Sequence, residues 1–294
     1  MSRPSRLSLV GAFAAIYLIW GSTYLAIGFG VAAIPPFLMA GIRFLAGGLV
    51  FFTVATMRGA PRPTTRDWLT TGVIGTFMAA GGNGLVSWAL QTVQSGIGAL
   101  LVSLVPLWVV LADWLLPPSR RPSSQASIGL VLGFGGVALL IYPTELSGLH
   151  QIDPIGASII VLASLLWASG SIYSRRAPQP SSQALSSGMQ MLGGGAVLMV
   201  LSALTGELSQ FSWTALSSGA IGAWVYVTVF GSVAYGSYLW LLKASTPAKA
   251  ATYAYVNPVI ALWLGHLVGD EMLSVWTMGC SIVIVAAVLL VVSR

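Results

Sequence analysis

The chain has 294 residues, of which 56% are hydrophobic and only 7% charged, against roughly 25% charged in a soluble domain. With a mean hydropathy of +0.87, this composition excludes a soluble enzyme, a disordered chain and a coiled coil, and points to a polytopic membrane protein. The net charge of +6 rests on 13 Lys and Arg scattered singly or in pairs, which make no nucleic-acid-binding face.

Runs long enough for a transmembrane helix, about 20 residues, are predicted near 7–28, 36–57, 68–90, 95–116, 126–143, 154–174, 185–205, 215–241, 247–268 and 272–292. Run length favours helices over the short alternating strands of a barrel. The first run follows Arg3 and Arg6 but continues through Trp20, Gly21 and Tyr24 without a cleavage motif, so it reads as a retained helix. The linkers are too short for a soluble domain. With ten spans and a cytoplasmic N-terminus, twelve of the 13 basic residues fall inside and the thirteenth, Arg43, within a span. Glu145, Asp153, Glu207, Asp270 and Glu271 then fall outside. This is the positive-inside asymmetry, and removing one span would invert every later loop. Both termini are expected in the cytoplasm, with the chain in the plasma membrane.

Two segments align at an offset of 152: Gly84 with Gly236, Trp88 with Trp240, Leu90 with Leu242, Ala99 with Ala251 and Pro106 with Pro258. Residues 18–22 likewise echo residues 165–169. Five spans per copy make an odd number of crossings, so the second copy inserts upside down. The expected fold is therefore an all-α integral membrane protein of ten transmembrane helices, as two inverted five-helix repeats, 1–148 and 149–294, around a central cavity. Such halves exchange inward-open and outward-open states.

Polar side chains within spans must face protein or a cavity. The third span places Thr76, Ala80, Asn83, Ser87 and Gln91 at helical spacing; the sixth places Ser164, Trp167, Ser171 and Ser174 on one face; the fourth offers Ser95, Ala99, Ser103 and Pro106. The first offers Tyr17, Trp20 and Tyr24. Close helix packing is the commoner role of Ser and Ala, whereas the amide of Asn83 favours cavity lining. Tyr235, Tyr238, Tyr253 and Tyr255 crowd the eighth and ninth spans, and aromatic walls suit an apolar or zwitterionic solute. Pro106 and Pro258 remove the donors to the carbonyls of Val102 and Ala254; they either expose those carbonyls to an ammonium group or simply kink the bundle. Asn257 has a donor for a carboxylate. Trp88 and Trp240 read either as symmetric gates or, more commonly at such depths, as interface anchors. Arg43 reads first as a structural cation that holds carbonyls or snorkels outward, and second as a carboxylate ligand. Asp113 has a loop arginine within reach. His150 and His266 lie in a loop and near a helix end, so neither reads as a proton relay. No titratable carboxylate or histidine stands at mid-depth, which fits a downhill facilitator or a weakly coupled exporter.

Trp20-Gly-Ser-Thr, Pro36 with Ala40-Gly-Ile-Arg43-Phe, residues 99–106, Trp167 to Arg176, and above all residues 247–261 continuing to Gly265 and Glu271 resemble the EamA-type branch of the drug/metabolite transporter superfamily. Within it the chain resembles bacterial aromatic amino acid exporters, which implies a place in a bacterial inner membrane. The resemblance implies small-metabolite transport, often amino acid export. It places helices 1, 3, 4, 6, 8 and 9 around the cavity, with 5 and 10 peripheral. On this reading Trp20, Tyr24, Asn83, Ser87, Ser103, Trp167, Ser171, Tyr238, Tyr253, Tyr255 and Asn257 form the substrate site, and Trp88, Pro106, Trp240 and Pro258 act as gates or helix breaks.

The expected partners are a small-molecule substrate and the lipid bilayer, with no nucleic acid, no cofactor and no metal. The protomer is expected to act as a monomer; Gly129 and Gly133 permit close helix contact within a protomer as readily as between protomers. An intramembrane enzyme is the alternative class, but no Gly-x-Ser-x-Gly or Gly-x-Gly-x-x-Gly motif occurs and no His/Asp/Glu cluster offers a metal site. A channel is a further alternative, against which the inverted repeat argues.

Overall fold

The computed structural model describes residues 5–115, 121–142, 152–245, 247–250 and 252–292. Arg3, Arg120, Glu145, His150, Ala251, Arg294 and the side chain of Asp113, all used above, lie outside the described residues. The described residues form helices and no strand. We label them α1 (Arg6–Val31), α2 (Pro36–Met57), α3 (65–89), α4 (95–115), α5 (Ser124–Ile141), α6 (Pro154–Arg176), α7 (Gln183–Leu204), α8 (Ser218–Ala244), α9 (Pro247–Ala250 and Tyr253–Val268) and α10 (Val275–Val292).

The helix starts follow from local chemistry. Side chains of Ser5, Ser123, Ser182 and Ser217 each accept from a backbone N–H three residues on. Thr64 and Asp67 form a reciprocal capping box that starts α3. The amide of Thr64, and then its hydroxyl, hold the Asp67 carboxyl below the usual carboxylate range. Asp153 caps α6 ahead of Pro154.

Helix covers part of all ten expected stretches, yet among the described residues eight helices are long and apolar enough to cross a membrane. Two expected spans differ for physical reasons. Glycines, threonines and Asn83 make α3 less apolar than the rest. The apolar part of α9, Tyr253–Val268, has 16 residues, about 24 Å at 1.5 Å per residue against a hydrocarbon core of about 30 Å.

Packing joins the first five helices to the last five. α2 lies on α7, α5 on α10, and α4 on α9 and α6; α1 lies on α8 and α9, and α3 on α6 and α7. Exchanging α1–α5 for α6–α10 carries the α1–α8 pair onto α6–α3 and α1–α9 onto α6–α4. It returns α2–α7, α4–α9 and α5–α10 to themselves. That is the contact pattern of two related halves about a pseudo-two-fold axis. Glycines permit the closest crossings: a Cβ on Gly188 of α7 would stand 2.6 Å from the Phe52 nitrogen of α2. A Cβ on Gly129 of α5 would stand 2.7 Å from Val291 of α10, so Gly129 serves a contact within the protomer.

Three carboxylates tie the halves at one end of the bundle. Pro36 has no N–H and Met39 N bonds Pro35 O (2.8 Å), so the free donors at the start of α2 are Phe37 and Leu38. Glu207, which follows α7, accepts both, at 3.2 and 2.8 Å. Glu271, which follows α9, accepts Ser95 N and Gly96 N at the start of α4, at 2.7 and 3.1 Å. Asp153 accepts Thr92 Oγ1 across the halves at 2.6 Å as well as capping α6.

The Thr92 hydroxyl and the amides of Gly156 and Ile155 hold the Asp153 carboxyl below the usual carboxylate range. A depressed folded-state pKa contributes stability above the unfolded value, about 3.9, and that contribution is lost as pH falls through the folded value. Acidification from pH 7 to below about 4 is therefore expected to lower the melting temperature of the wild-type chain more than that of Asp153→Asn. Equal acid sensitivity would show that the tie contributes nothing.

Candidate functional site

Two helices lose their regular α turn where the site forms. α1 is π-helical over Ala15–Ile19 and α3 over Thr76–Gly84. A π turn bonds i to i+5, widens the helix and re-aims its side chains, and such segments are frequent at functional sites. α4 is interrupted between Val102 and Val105, just before Pro106. The proline ring leaves the Val102 carbonyl without its usual donor.

These irregular stretches meet α6 and α9 around a cavity of ≈ 50 Å³. Trp20, Thr23, Tyr24 and Ile27 line it from α1; Gly82, Asn83 and Val86 from α3; Val102 from α4; Ala163, Ser164 and Trp167 from α6; and Tyr253 from α9. Trp20 is the hub of the aromatic wall. Its ring lies 5.4 Å from Trp167, 5.2 Å from Tyr238 and 5.2 Å from Tyr253. The contacts to Trp167 and Tyr253 are edge-to-face and that to Tyr238 is tilted, and Tyr238 and Tyr235 back Trp167 at 5.5 and 5.9 Å. Ser164 accepts Trp108 Nε1 at 2.8 Å, which holds α4 against α6.

The polar groups of this wall are unevenly satisfied. Trp167 Nε1 and Tyr253 Oη are buried and close no hydrogen bond of acceptable geometry. The amide nitrogen of Asn83 reaches Met78 O only at 3.4 Å, while its oxygen accepts Arg43 Nη2 at 3.1 Å. Arg43 is 4% exposed, and its guanidinium carbon lies 4.5 Å above the Phe44 ring. Arg43 therefore neither snorkels nor holds backbone carbonyls: its partners are an amide and a ring.

The structure gathers five of the expected substrate residues on the cavity: Trp20, Tyr24, Asn83, Trp167 and Tyr253. Tyr238 and Ser171 stand behind them, with Ser171 bonded to Trp167 O (2.8 Å) and to the Tyr238 hydroxyl (3.1 Å). Ser87 donates to Asn83 O and Ser103 to Leu100 O, so both hydroxyls are satisfied by their own helices. The polar stripe expected on α3 does not hold: Thr76, at the start of the π segment, is exposed, and Gln91, also exposed, lies in the turn past the helix end at Ala89. Asn257, with its amide oriented to donate, bonds Ile16 O and Tyr17 O of the π segment at 3.2 Å each. Its donor is thus used by α1 and not free for a carboxylate. Tyr255 is partly buried against the core and does not line the cavity. Trp88 lines a separate crevice of ≈ 440 Å³ with Gln91 and Glu207, whereas Trp240 packs on the core. Pro258 sits inside continuous helix, unlike Pro106. His266, exposed, meets Glu271 O at 3.1 Å. Among the described residues no group of three metal-ligating side chains occurs. Thr23 and Gly82 were not candidates by sequence, since nothing in their residue types marks a cavity wall, whereas Val102 entered through the carbonyl that Pro106 leaves without its donor.

Comparisons with known proteins agree with this architecture. The EamA-like transporter family matches twice, over residues 8–142 and 154–293. The inner membrane transporter YedA of Escherichia coli strain K12 is 38% identical over 292 residues, covering 98% of this chain and 92% of that protein. Transporter YoaV of Bacillus subtilis is 24% identical over 268 residues, covering 88% of each chain. Protein PecM of Dickeya dadantii is 26% identical over 265 residues, covering 87% of this chain and 82% of its own. A crystal structure only 22% identical superposes with a TM-score of 0.67 over 98% of both chains, which shows a shared fold. With a family domain in each half and the two halves packed helix against helix, the chain belongs to the EamA-like transporter family, and it is a membrane transporter built from two copies of that domain.

Proposed function

We propose that this transporter exports, or lets pass, amino acids (aromatic ones included) and related small metabolites by alternating access. The observation that carries this reading is the chemistry of the cavity wall. Aromatic faces from Trp20, Tyr24, Trp167 and Tyr253 suit an apolar or aromatic side chain and also attract an ammonium group. The unmatched Trp167 Nε1 and Tyr253 Oη, and the Asn83 amide with only its long bond to Met78 O, offer donors, and the Val102 carbonyl freed by Pro106 offers an acceptor. A buried polar atom without a partner is costly, and a zwitterionic solute would match donors and acceptor together. The cavity of ≈ 50 Å³ is well below the ~300 Å³ of the smaller ligand pockets. Entry therefore requires the halves to part, and the carboxylate ties at one end are bonds such a step breaks.

On this reading residues 1–148 and 149–294 are inverted repeats with the pathway between them, and the tied end faces outward. Both termini lie in the cytoplasm, the protomer acts alone, and the bilayer is the inner membrane, as the name of the relative YedA has it for that protein. Trp88 at the outer crevice and Trp240 at the opposite end stand where gates would act. The test is uptake of a panel of labelled amino acids into proteoliposomes, with and without a pH gradient. Saturable, stereoselective flux is expected, highest for the aromatic amino acids; no flux above empty liposomes for any amino acid would remove the substrate assignment.

A further inference from the structure

Arg43 is a cation buried at 4% exposure, and among the described residues no carboxylate stands within ion-pair distance of it. Four acids of the described residues are engaged elsewhere: Glu207 and Glu271 on helix starts, Asp153 on Thr92, Asp67 on Thr64. Its one hydrogen bond goes to Asn83 Oδ1, and the Phe44 ring covers one face. An isolated buried charge is expensive in a membrane protein, and such residues are retained where a counter-charge is supplied. Asn83 lines the cavity, and its amide nitrogen makes only a long bond of 3.4 Å to Met78 O. The guanidinium thus lies one hydrogen bond behind the cavity wall, polarising an amide whose donor end is nearly free.

We infer that Arg43 and Asn83 together receive the carboxylate of the transported solute, so that the site selects carboxylate-bearing solutes with an aromatic or branched apolar side chain over their amine-only counterparts. The inference rests on the reading of the cavity as the solute site. The Asn83 amide donates to one carboxylate oxygen, and Arg43 provides the counter-charge. Opposite charges about 6 Å apart at an effective dielectric of ~20 favour the acid by about a hundredfold. Desolvation of the carboxylate offsets part of that gain, which leaves a preference of roughly tenfold or more. Trp20, Trp167 and Tyr253 receive the side chain in either case, so the preference isolates the charge.

The experiment measures binding of 3-phenylpropionate and of phenethylamine to the detergent-purified full chain by calorimetric titration. The wild type is expected to bind the acid at least about tenfold more tightly than the amine. Arg43→Gln is expected to bring the ratio near one. Asn83→Asp keeps the side-chain volume and gives the guanidinium a fixed counter-ion, so it preserves the fold and is likewise expected to abolish the preference. A wild-type ratio near one, binding of neither compound, or a ratio that survives in either variant would overturn the inference; a purely structural role for Arg43 would weaken both ligands equally. Amino acid flux is read separately. A chain that moves no amino acid yet binds the acid in an Arg43-dependent way would support this site and remove the proposed substrate.

Discussion

Gly82→Val is expected to lower the initial rate of solute uptake at least about a hundredfold. Valine adds three carbons where a Cβ alone would already stand 2.7 Å from Trp167 Cε3. Real Cβ contacts do not come that close, so the indole must move. It has no free direction within the wall, since Trp20 meets it edge-on at 5.4 Å, Tyr238 lies at 5.5 Å and Tyr235 at 5.9 Å. The space left is the cavity itself, at ≈ 50 Å³. Overpacking of this kind costs about 1–3 kcal/mol, little enough for the chain to remain folded by size-exclusion profile. Gly135→Val is the matched control, because nothing lies within 4 Å of a Cβ there. Wild-type uptake by Gly82→Val would mean that the Trp167 wall is not on the solute's path.

Glu207→Ala is expected to destabilise the folded chain by roughly 2–4 kcal/mol, because buried donors left unmatched cost about 1–3 kcal/mol each. The carboxylate is 6% exposed and accepts the amides of Phe37 and Leu38. The positive end of α2 adds to the effect. Glu207→Gln keeps an acceptor but loses the charge, so about half the loss is expected, from the same per-donor cost. Unfolding of the purified chain in detergent, followed by helix content, gives the measurement. Equal stability of the wild type and Glu207→Ala would show that the tie between α7 and α2 is not a structural bond.

The spans were legible because hydropathy and helix starts are local. Pro36, Asp153-Pro154, Ser182 and Ser217 each mark a start that a short stretch of chain determines by itself. The repeat was legible too: α4 and α9 begin at Ser95 and Pro247, again 152 positions apart. The aromatic cluster was legible by residue type, since Trp20, Trp167 and Tyr253 stand within spans, where their rings can pack on one another.

What failed depended on tertiary partners or on helix irregularity. The π segment at Thr76–Gly84 carries no sequence mark that a 3.6-residue period detects, so Ser87 and Thr76 were put on the face of Asn83. Asn257 resembled a ligand because the widened turn that takes its amide lies more than two hundred residues earlier, at Ile16 and Tyr17. Glu207 and Glu271 read as loop charges, since the helix starts they serve are remote in the chain. Arg43 could not be assigned before its surroundings were known, because its partners, Asn83 and the Phe44 ring, are set by the fold.

On the proposed function, solute crosses through the Trp20–Asn83–Trp167 cavity between the two halves. Cys280 is the one native cysteine and is buried, so a Cys280→Ser chain carrying Thr23→Cys reports on that wall alone. In proteoliposomes the new thiol should react with a membrane-impermeant maleimide from either side, and a transported amino acid should slow that labelling. A thiol that stays unlabelled, or that labels at the same rate with and without solute, would contradict the account.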